Sequence, residues 1–125
     1  MADSATTIQD LKDLAEKFRA ERNWGRHHSP KNLAVSIAIE AAELMEKFQW
    51  DNYEDKNAKK EIRDELADIL VYCLYLAQGN DIDISEAVAA KLEKAAKKYP
   101  VEIFNANQNS AEDYWRIKKE YRGKS

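Results

Sequence analysis

Four carboxylates carry the spacing best suited to chemistry in this 125-residue chain: Glu40-Ala-Ala-Glu43 and Glu65-Leu-Ala-Asp68. The members of each pair are three residues apart, a rotation of about 300° in an α-helix, so each pair lies on neighbouring lines of one helical surface. The polar stretch from Asp51 to Lys60 between the pairs is long enough for the chain to reverse. Two antiparallel helices would then bring four acids together, and like charges that close repel unless a cation lies between them. All-oxygen ligation selects a hard divalent ion, Mg²⁺ or alternatively Mn²⁺. A di-iron bundle would need an ExxH element, and neither stretch holds a His. Mg²⁺ favours phosphate oxygens, which points to a phosphorylated substrate. Lys91 and Lys98, beside the apolar line of a later helix, are candidate phosphate contacts; otherwise they snorkel at a bundle edge.

A solvated face is the ordinary fate of charged residues on a helix, and it suits Glu16, Lys17, Glu46 and Lys59. It suits the two pairs less well. They border the apolar faces of their helices, where a carboxylate is partly desolvated, and they have few basic neighbours one turn away. Lys47 is available to Glu43, but Glu40, Glu65 and Asp68 have Ser36, Glu61, Asp64, Ile69 and Tyr72 nearby.

The elements that must position these acids read as helices throughout, and the fold class expected is an all-α, four-helix-bundle-like domain with a short C-terminal helix. Thr7 as N-cap and Asp10 in the first turn open a helix whose apolar stripe is Ile8, Leu11, Leu14, Ala15 and Phe18; it ends near Arg22, before Asn23-Trp24-Gly25. Ser29-Pro30 starts the second helix, closed by Trp50. Its apolar line is Leu33, Ile37, Ala41, Leu44 and Phe48, while Val35, Ile39 and Ala42 make a second side, which suggests contact with another subunit. The third helix is expected over Glu61 to Gln78, with Ile62, Leu66, Ile69, Leu70, Cys73, Leu74 and Ala77 inward, and Gly79-Asn80 as a left-handed stop. Asp83-Ile84-Ser85-Glu86 resembles a capping box for a fourth helix, which Pro100 stops after Tyr99. A last helix is expected from Ala111 to about Tyr121, capped by Ser110.

Length sets one domain, 1–125, with its core over about 7–100 and a C-terminal segment over 101–125. A charged fraction of 34% with 3 Gly and 2 Pro fits a helical protein, and a net charge of −3 gives no polybasic surface for nucleic acid or membrane. One cysteine, Cys73, rules out an internal disulfide framework and suits a reducing, cytoplasmic setting; on the core face it reads as a small apolar residue. The first ten residues lack the pattern of a signal peptide, and no apolar run reaches the roughly 20 residues of a membrane span.

Several motifs together carry a resemblance. Phe18-Arg-Ala-Glu-Arg-Asn-Trp24, His28-Ser-Pro-Lys-Asn32-Leu33, the two acidic pairs, Phe48-Gln-Trp50, Tyr72 and Lys98-Tyr-Pro100 resemble the MazG-like nucleotide pyrophosphohydrolases of the all-α NTP pyrophosphatase superfamily. The chain is most similar to the dCTP pyrophosphatase branch, from roughly Ile8 to Pro100. The resemblance implies a homo-oligomer, either a dimer or a tetramer built as a dimer of dimers. It implies Mg²⁺-dependent hydrolysis of a nucleoside triphosphate to monophosphate and diphosphate, a house-cleaning activity. By it, Glu40, Glu43, Glu65 and Asp68 would be the metal ligands; Trp24 and Trp50 would wall a base pocket with His28 near them, and Tyr72 would meet the nucleotide. Lys91 and Lys98 match basic positions, and Asn32 matches a helix-start residue with two roles open, structural or substrate-contacting. Two departures stand out: Ala95 where relatives often have Asn, and Ala15 where the animal enzymes have a His that touches substrate.

The mechanism that follows is in-line attack of water on the α-phosphorus, with Glu40 or Glu43 orienting or deprotonating the water. Paired indoles favour a stacked pyrimidine, with cytosine and uracil equally served by stacking; the resemblance implies a deoxypyrimidine triphosphate, dCTP or a modified dCTP. A dUTPase-type activity on the same scaffold and a non-catalytic helical oligomer are the alternatives.

Overall fold

The computed structural model describes residues 1–50, 56–104 and 111–123, with residues 56 and 57 described as helix only. Five α-helices are present and no strand occurs among the described residues: α1 (Ile8–Glu21), α2 (Pro30–Glu46), α3 (Lys56–Gly79), α4 (Ile84–Lys98) and α5 (Ala111–Arg122). A short 3-10 turn, Gly25–His27, joins α1 to α2. The chain packs as two units, Met1–Asp83 and Ile84–Ser125.

Local chemistry sets the starts of α1 and α2. Thr7 Oγ1 accepts from the Asp10 amide at 3.0 Å while Asp10 Oδ2 accepts from the Thr7 amide at 2.9 Å, a reciprocal box that satisfies two otherwise orphaned donors. Ser29 Oγ accepts from the Asn32 amide at 3.2 Å, and Pro30 occupies the first turn, where its missing N–H is no loss. Asn23, in the left-handed region at φ 52°, turns the chain out of α1.

In the first unit α3 is the shared partner of α1 and α2. Both pack antiparallel to it. Along α1, Lys12 Nζ donates to the Ile82 carbonyl just past α3 at 2.7 Å and the Tyr75 hydroxyl of α3 donates to the Ala15 carbonyl at 3.0 Å, so rising numbers on α1 meet falling numbers on the partner segment. Along α2, His28 meets Tyr72 and Tyr75, whereas Lys47 meets Glu65. Leu33 (2% exposed), Tyr75 (3%), Leu74, Ala77, Ala58 and Ala15 form the buried core; a fully buried Leu contributes roughly 1.5–3 kcal/mol. In the second unit Ile117 is buried, and Tyr99 stacks on Tyr114 at 5.5 Å and meets Phe104 edge-on at 5.3 Å.

Several expectations are corrected. α2 ends at Glu46, not Trp50, because the backbone tightens to i,i+3 bonds from Lys47 to Leu44, Phe48 to Met45 and Gln49 to Glu46. α3 begins at Lys56, about a turn before Glu61, and Ala58 in that added turn is buried. The left-handed residue after α3 is Asp81 (φ 53°), while Gly79 stays helical and the Asn80 side chain donates to the Leu76 carbonyl at 2.8 Å. Leu66 and Leu70, expected inward, are about half exposed, and Tyr75 takes the buried position instead, its hydroxyl satisfied by a backbone carbonyl. α4 and α5 occur where expected; the Ser110 cap and the Asp51 to Asp55 part of the polar turn lie outside the described residues.

Candidate active site

The antiparallel α2–α3 pair brings three of the four acids into one cluster. One carboxylate oxygen from each of Glu40, Glu43 and Glu65 lies within 4.8 Å of the others, and all three side chains are half-buried. Glu40 Oε2 and Glu65 Oε2 are buried with no hydrogen-bond donor among the described residues. Such atoms cost free energy unless a donor or a cation meets them. The proton affinity of the cluster shows the same strain. Burial, then the hydrogen bond and charge of Glu43, then the charges of Asp68 and Glu65 push the Glu40 carboxyl up to about 7. Three oxygen donors and two orphaned oxygens fit a hard divalent cation, and no His or thiolate competes in the cluster.

Two partners differ from expectation. Lys47 does not pair with Glu43 one turn back; its Nζ lies 3.9 Å from Glu65 Oε1, across the helix pair. Asp68 stands outside the cluster and is exposed. It lines a cavity of about 180 Å³ together with Phe18, Trp24, His28, Tyr72 and Tyr75. Asp68 therefore links the two parts of the site, because its charge is felt by Glu40 while its side chain forms the wall of an aromatic pocket.

The pocket contains Trp24, His28 and Tyr72 of the expected residues. Trp24 packs edge-on to Phe18 at 5.5 Å, His28 lies tilted over Tyr75 at 5.1 Å, and Tyr72 meets both His28 and Tyr75 edge-on at 6.3 Å. Trp50 is 89% exposed and is not among the residues lining this cavity. Asn32 donates from Nδ2 to the His27 carbonyl at 2.9 Å, which ties the start of α2 to the preceding turn. Lys98, in the second unit, lies 4.9 Å from the Tyr121 ring centre and 5.2 Å from that of Tyr99. Lys91 is exposed on α4.

Arg19, Glu16 and Tyr75 were not legible as site residues. Glu16 reads in sequence as a solvated acid, yet its carboxylate holds Arg19, whose side chain is only 13% exposed. An i,i+3 Glu–Arg pair is so common on helix surfaces that its spacing carries no signal. Cys73 is half-buried, and burial pushes its thiol up, away from the nucleophilic form.

The MazG-like family profile matches residues 35–114. The chain is 34% identical over 107 residues to dCTP pyrophosphatase 1 of Bos taurus, covering 80% of this chain and 63% of that protein. It is 31% identical over 104 residues to dCTP pyrophosphatase 1 of Homo sapiens, covering 78% of this chain and 61% of that protein. It thus spans about three-fifths of the length of the curated relatives it matches. Among solved structures it is similar to a pyrophosphatase from Archaeoglobus fulgidus, with a TM-score of 0.68 and 42% identity, covering 80% of this chain and 98% of that one. On a match over most of its length, and with an all-helical fold like that of its structural relative, the chain belongs to the MazG-like family.

Proposed function

We propose that this protein is a Mg²⁺-dependent nucleoside triphosphate pyrophosphohydrolase that prefers deoxypyrimidine triphosphates such as dCTP or a modified dCTP. The observation that carries the reading is the junction at Asp68, where a cation-ready carboxylate cluster adjoins a small aromatic pocket. The relatives named dCTP pyrophosphatase 1 and the archaeal pyrophosphatase support it.

In this reading Glu40, Glu43 and Glu65 would hold the cation, joined by Asp68. A divalent ion held there would offset the charge that builds on the phosphate oxygens. Water attacks the α-phosphorus, the new oxygen–phosphorus bond forms opposite the bridging oxygen to the β-phosphorus, and that bridging bond breaks. The products are the monophosphate and diphosphate. Glu40 or Glu43 accepts the proton from the attacking water. Trp24 and Trp50 take the base with His28 near them, and Tyr72 meets the nucleotide. Asn32 acts by fixing the turn that carries His28.

The family match runs across both packing units, which supports one catalytic domain over 1–125. A homo-oligomer, a dimer or a tetramer as a dimer of dimers, completes the assembly. Val35 and Ile39 on the second side of α2 are about half exposed, and Leu11, Leu14, Phe18, Val71 and Leu74 line an apolar groove of about 350 Å³ in the first unit. Among the described residues no helix is long and apolar enough to cross a membrane. The proposed role is cytoplasmic house-cleaning. A panel of canonical and base-modified triphosphates, scored for diphosphate release with and without Mg²⁺, tests the reading. Deoxypyrimidine triphosphates should turn over fastest; exclusive use of purines would contradict the pocket assignment.

A further inference from the structure

Arg19 approaches the aromatic pocket from α1 without lining it. Its Nε donates to Glu16 Oε2 at 2.9 Å, and its Nη2 donates to the same oxygen. On the other side its guanidinium carbon lies 4.7 Å from the centre of the Tyr75 ring, and Tyr75 is itself fixed by its bond to the Ala15 carbonyl. Held between an acid and an aromatic face, Arg19 presents Nη1 to His28 Nδ1 at 3.4 Å.

The chemistry of the two side chains then fixes the direction of that contact. Arginine offers only donors and keeps its proton in proteins, so His28 Nδ1 must carry the lone pair. A neutral imidazole has one N–H, which this leaves on Nε2, at the other edge of the ring. Burial and the Arg19 charge, joined by that of His27, both favour the neutral ring; Glu16 opposes them more weakly. Tyr75 and Tyr72 restrict the ring from two sides.

We propose that Arg19 is a positioning residue that fixes His28 as the Nε2–H tautomer, so that the pocket offers a hydrogen-bond donor to a ring carbonyl oxygen or bare ring nitrogen of a bound base. The inference rests on the nucleotide reading given above and adds the polarity of its base contact. A histidine free of Arg19 samples both tautomers, and the wrong one turns a lone pair toward the base acceptor. A base contact is made equally in the ground and transition states, so its loss raises KM and leaves kcat nearly unchanged.

Two measurements on the full chain test this. The nitrogen-15 shifts of the His28 ring, assigned with His28→Ala, report the tautomer of the free protein whether or not it turns over a nucleotide. Bare Nδ1 with protonated Nε2 is expected in the wild type, and a mixed population in Arg19→Gln. Kinetics with dCTP on Arg19→Gln, His28→Ala and the double variant report the coupling. A rise in KM of about five- to tenfold is expected in each single variant, the size of one lost hydrogen bond, with kcat changed by less than about twofold. The double variant should be no worse than His28→Ala alone. A proton on Nδ1 in the wild type would overturn the proposal, as would penalties that add in full. So would Arg19→Gln that lowers the melting temperature while leaving tautomer and KM unchanged. A protein with the expected tautomer that hydrolyses no triphosphate would overturn the nucleotide reading and its base contact, while the Arg19–His28 coupling would stand.

Discussion

Lys47 Nζ lies 3.9 Å from Glu65 Oε1, so the C-cap of α2 aims an ammonium across at the acidic cluster on α3. The pair is partly exposed, with 31% of the lysine side chain and 14% of the glutamate open to solvent, which places its worth at about 0.5–1 kcal/mol. Lys47→Met should lower the melting temperature of the metal-free protein by a few degrees, roughly 2–5 °C. Mg²⁺ should recover more than that loss, because the variant's carboxylates are less neutralised beforehand. Scanning fluorimetry in EDTA and in saturating Mg²⁺ reads both effects; an equal Mg²⁺ shift in wild type and variant would show that Lys47 does not feel the site.

The carboxylates themselves are the second test. Glu43→Gln and Asp68→Asn keep side-chain volume and remove charge, so each should lower Mg²⁺-dependent diphosphate release by about 100-fold or more. Far-ultraviolet circular dichroism should stay at the wild-type helix signal. Retained activity in Asp68→Asn with loss in Glu43→Gln would confine the cation to the three clustered glutamates.

Glu40 gives a pH dependence with a definite sign. Its carboxyl is raised from an ordinary 4.5 to about 7, so the folded metal-free protein holds a proton that the unfolded chain releases. Stability from this group is full below 4.5 and is lost as pH rises through about 7. His28, lowered from 6.5, acts in the opposite sense over the upper part of the same range, so the wild type alone does not isolate Glu40. The difference between wild type and Glu40→Gln in EDTA does: the wild type should lose melting temperature relative to the variant between pH 5 and 8. Mg²⁺ needs the carboxylate and should therefore bind more tightly as pH rises, by up to about tenfold per pH unit below the Glu40 value. A wild type that gains on the variant with rising pH would reverse the assignment.

Tyr75 supplies a test of the core that is separate from chemistry. Tyr75→Phe removes the buried hydrogen bond from the hydroxyl to the Ala15 carbonyl, at a cost of about 1 kcal/mol, read as a lower urea midpoint with unchanged slope. Leu33→Ala, at a site only 2% exposed, should cost more, about 2–5 kcal/mol.

What the sequence revealed follows the range of the forces involved. The starts of α1 and α2 were legible because Thr7 with Asp10 and Ser29 with Pro30 act within one turn. The gathering of Glu40, Glu43 and Glu65 was legible because helical spacing and one chain reversal suffice to produce it. Burial was harder to read. Leu66 and Leu70 share the stripe of Leu74, yet of the three only Leu74 is buried. Tyr75 was missed because its hydroxyl hides a buried role that depends on a carbonyl sixty residues away. Arg19 and Glu16 form an ordinary surface pattern until His28 and Tyr75 close over it. Asp68 was expected beside the three glutamates, but sequence spacing does not show that it lines the aromatic pocket on α3.

The most direct measurement is hydrolysis of dCTP with Mg²⁺ in heavy-oxygen water, followed by mass analysis of both products. The expected result is one labelled oxygen in the monophosphate and none in the diphosphate, released only when the divalent ion is present. Label in the diphosphate, or hydrolysis that persists in EDTA, would contradict attack at the α-phosphorus by a site built on Glu40, Glu43 and Glu65.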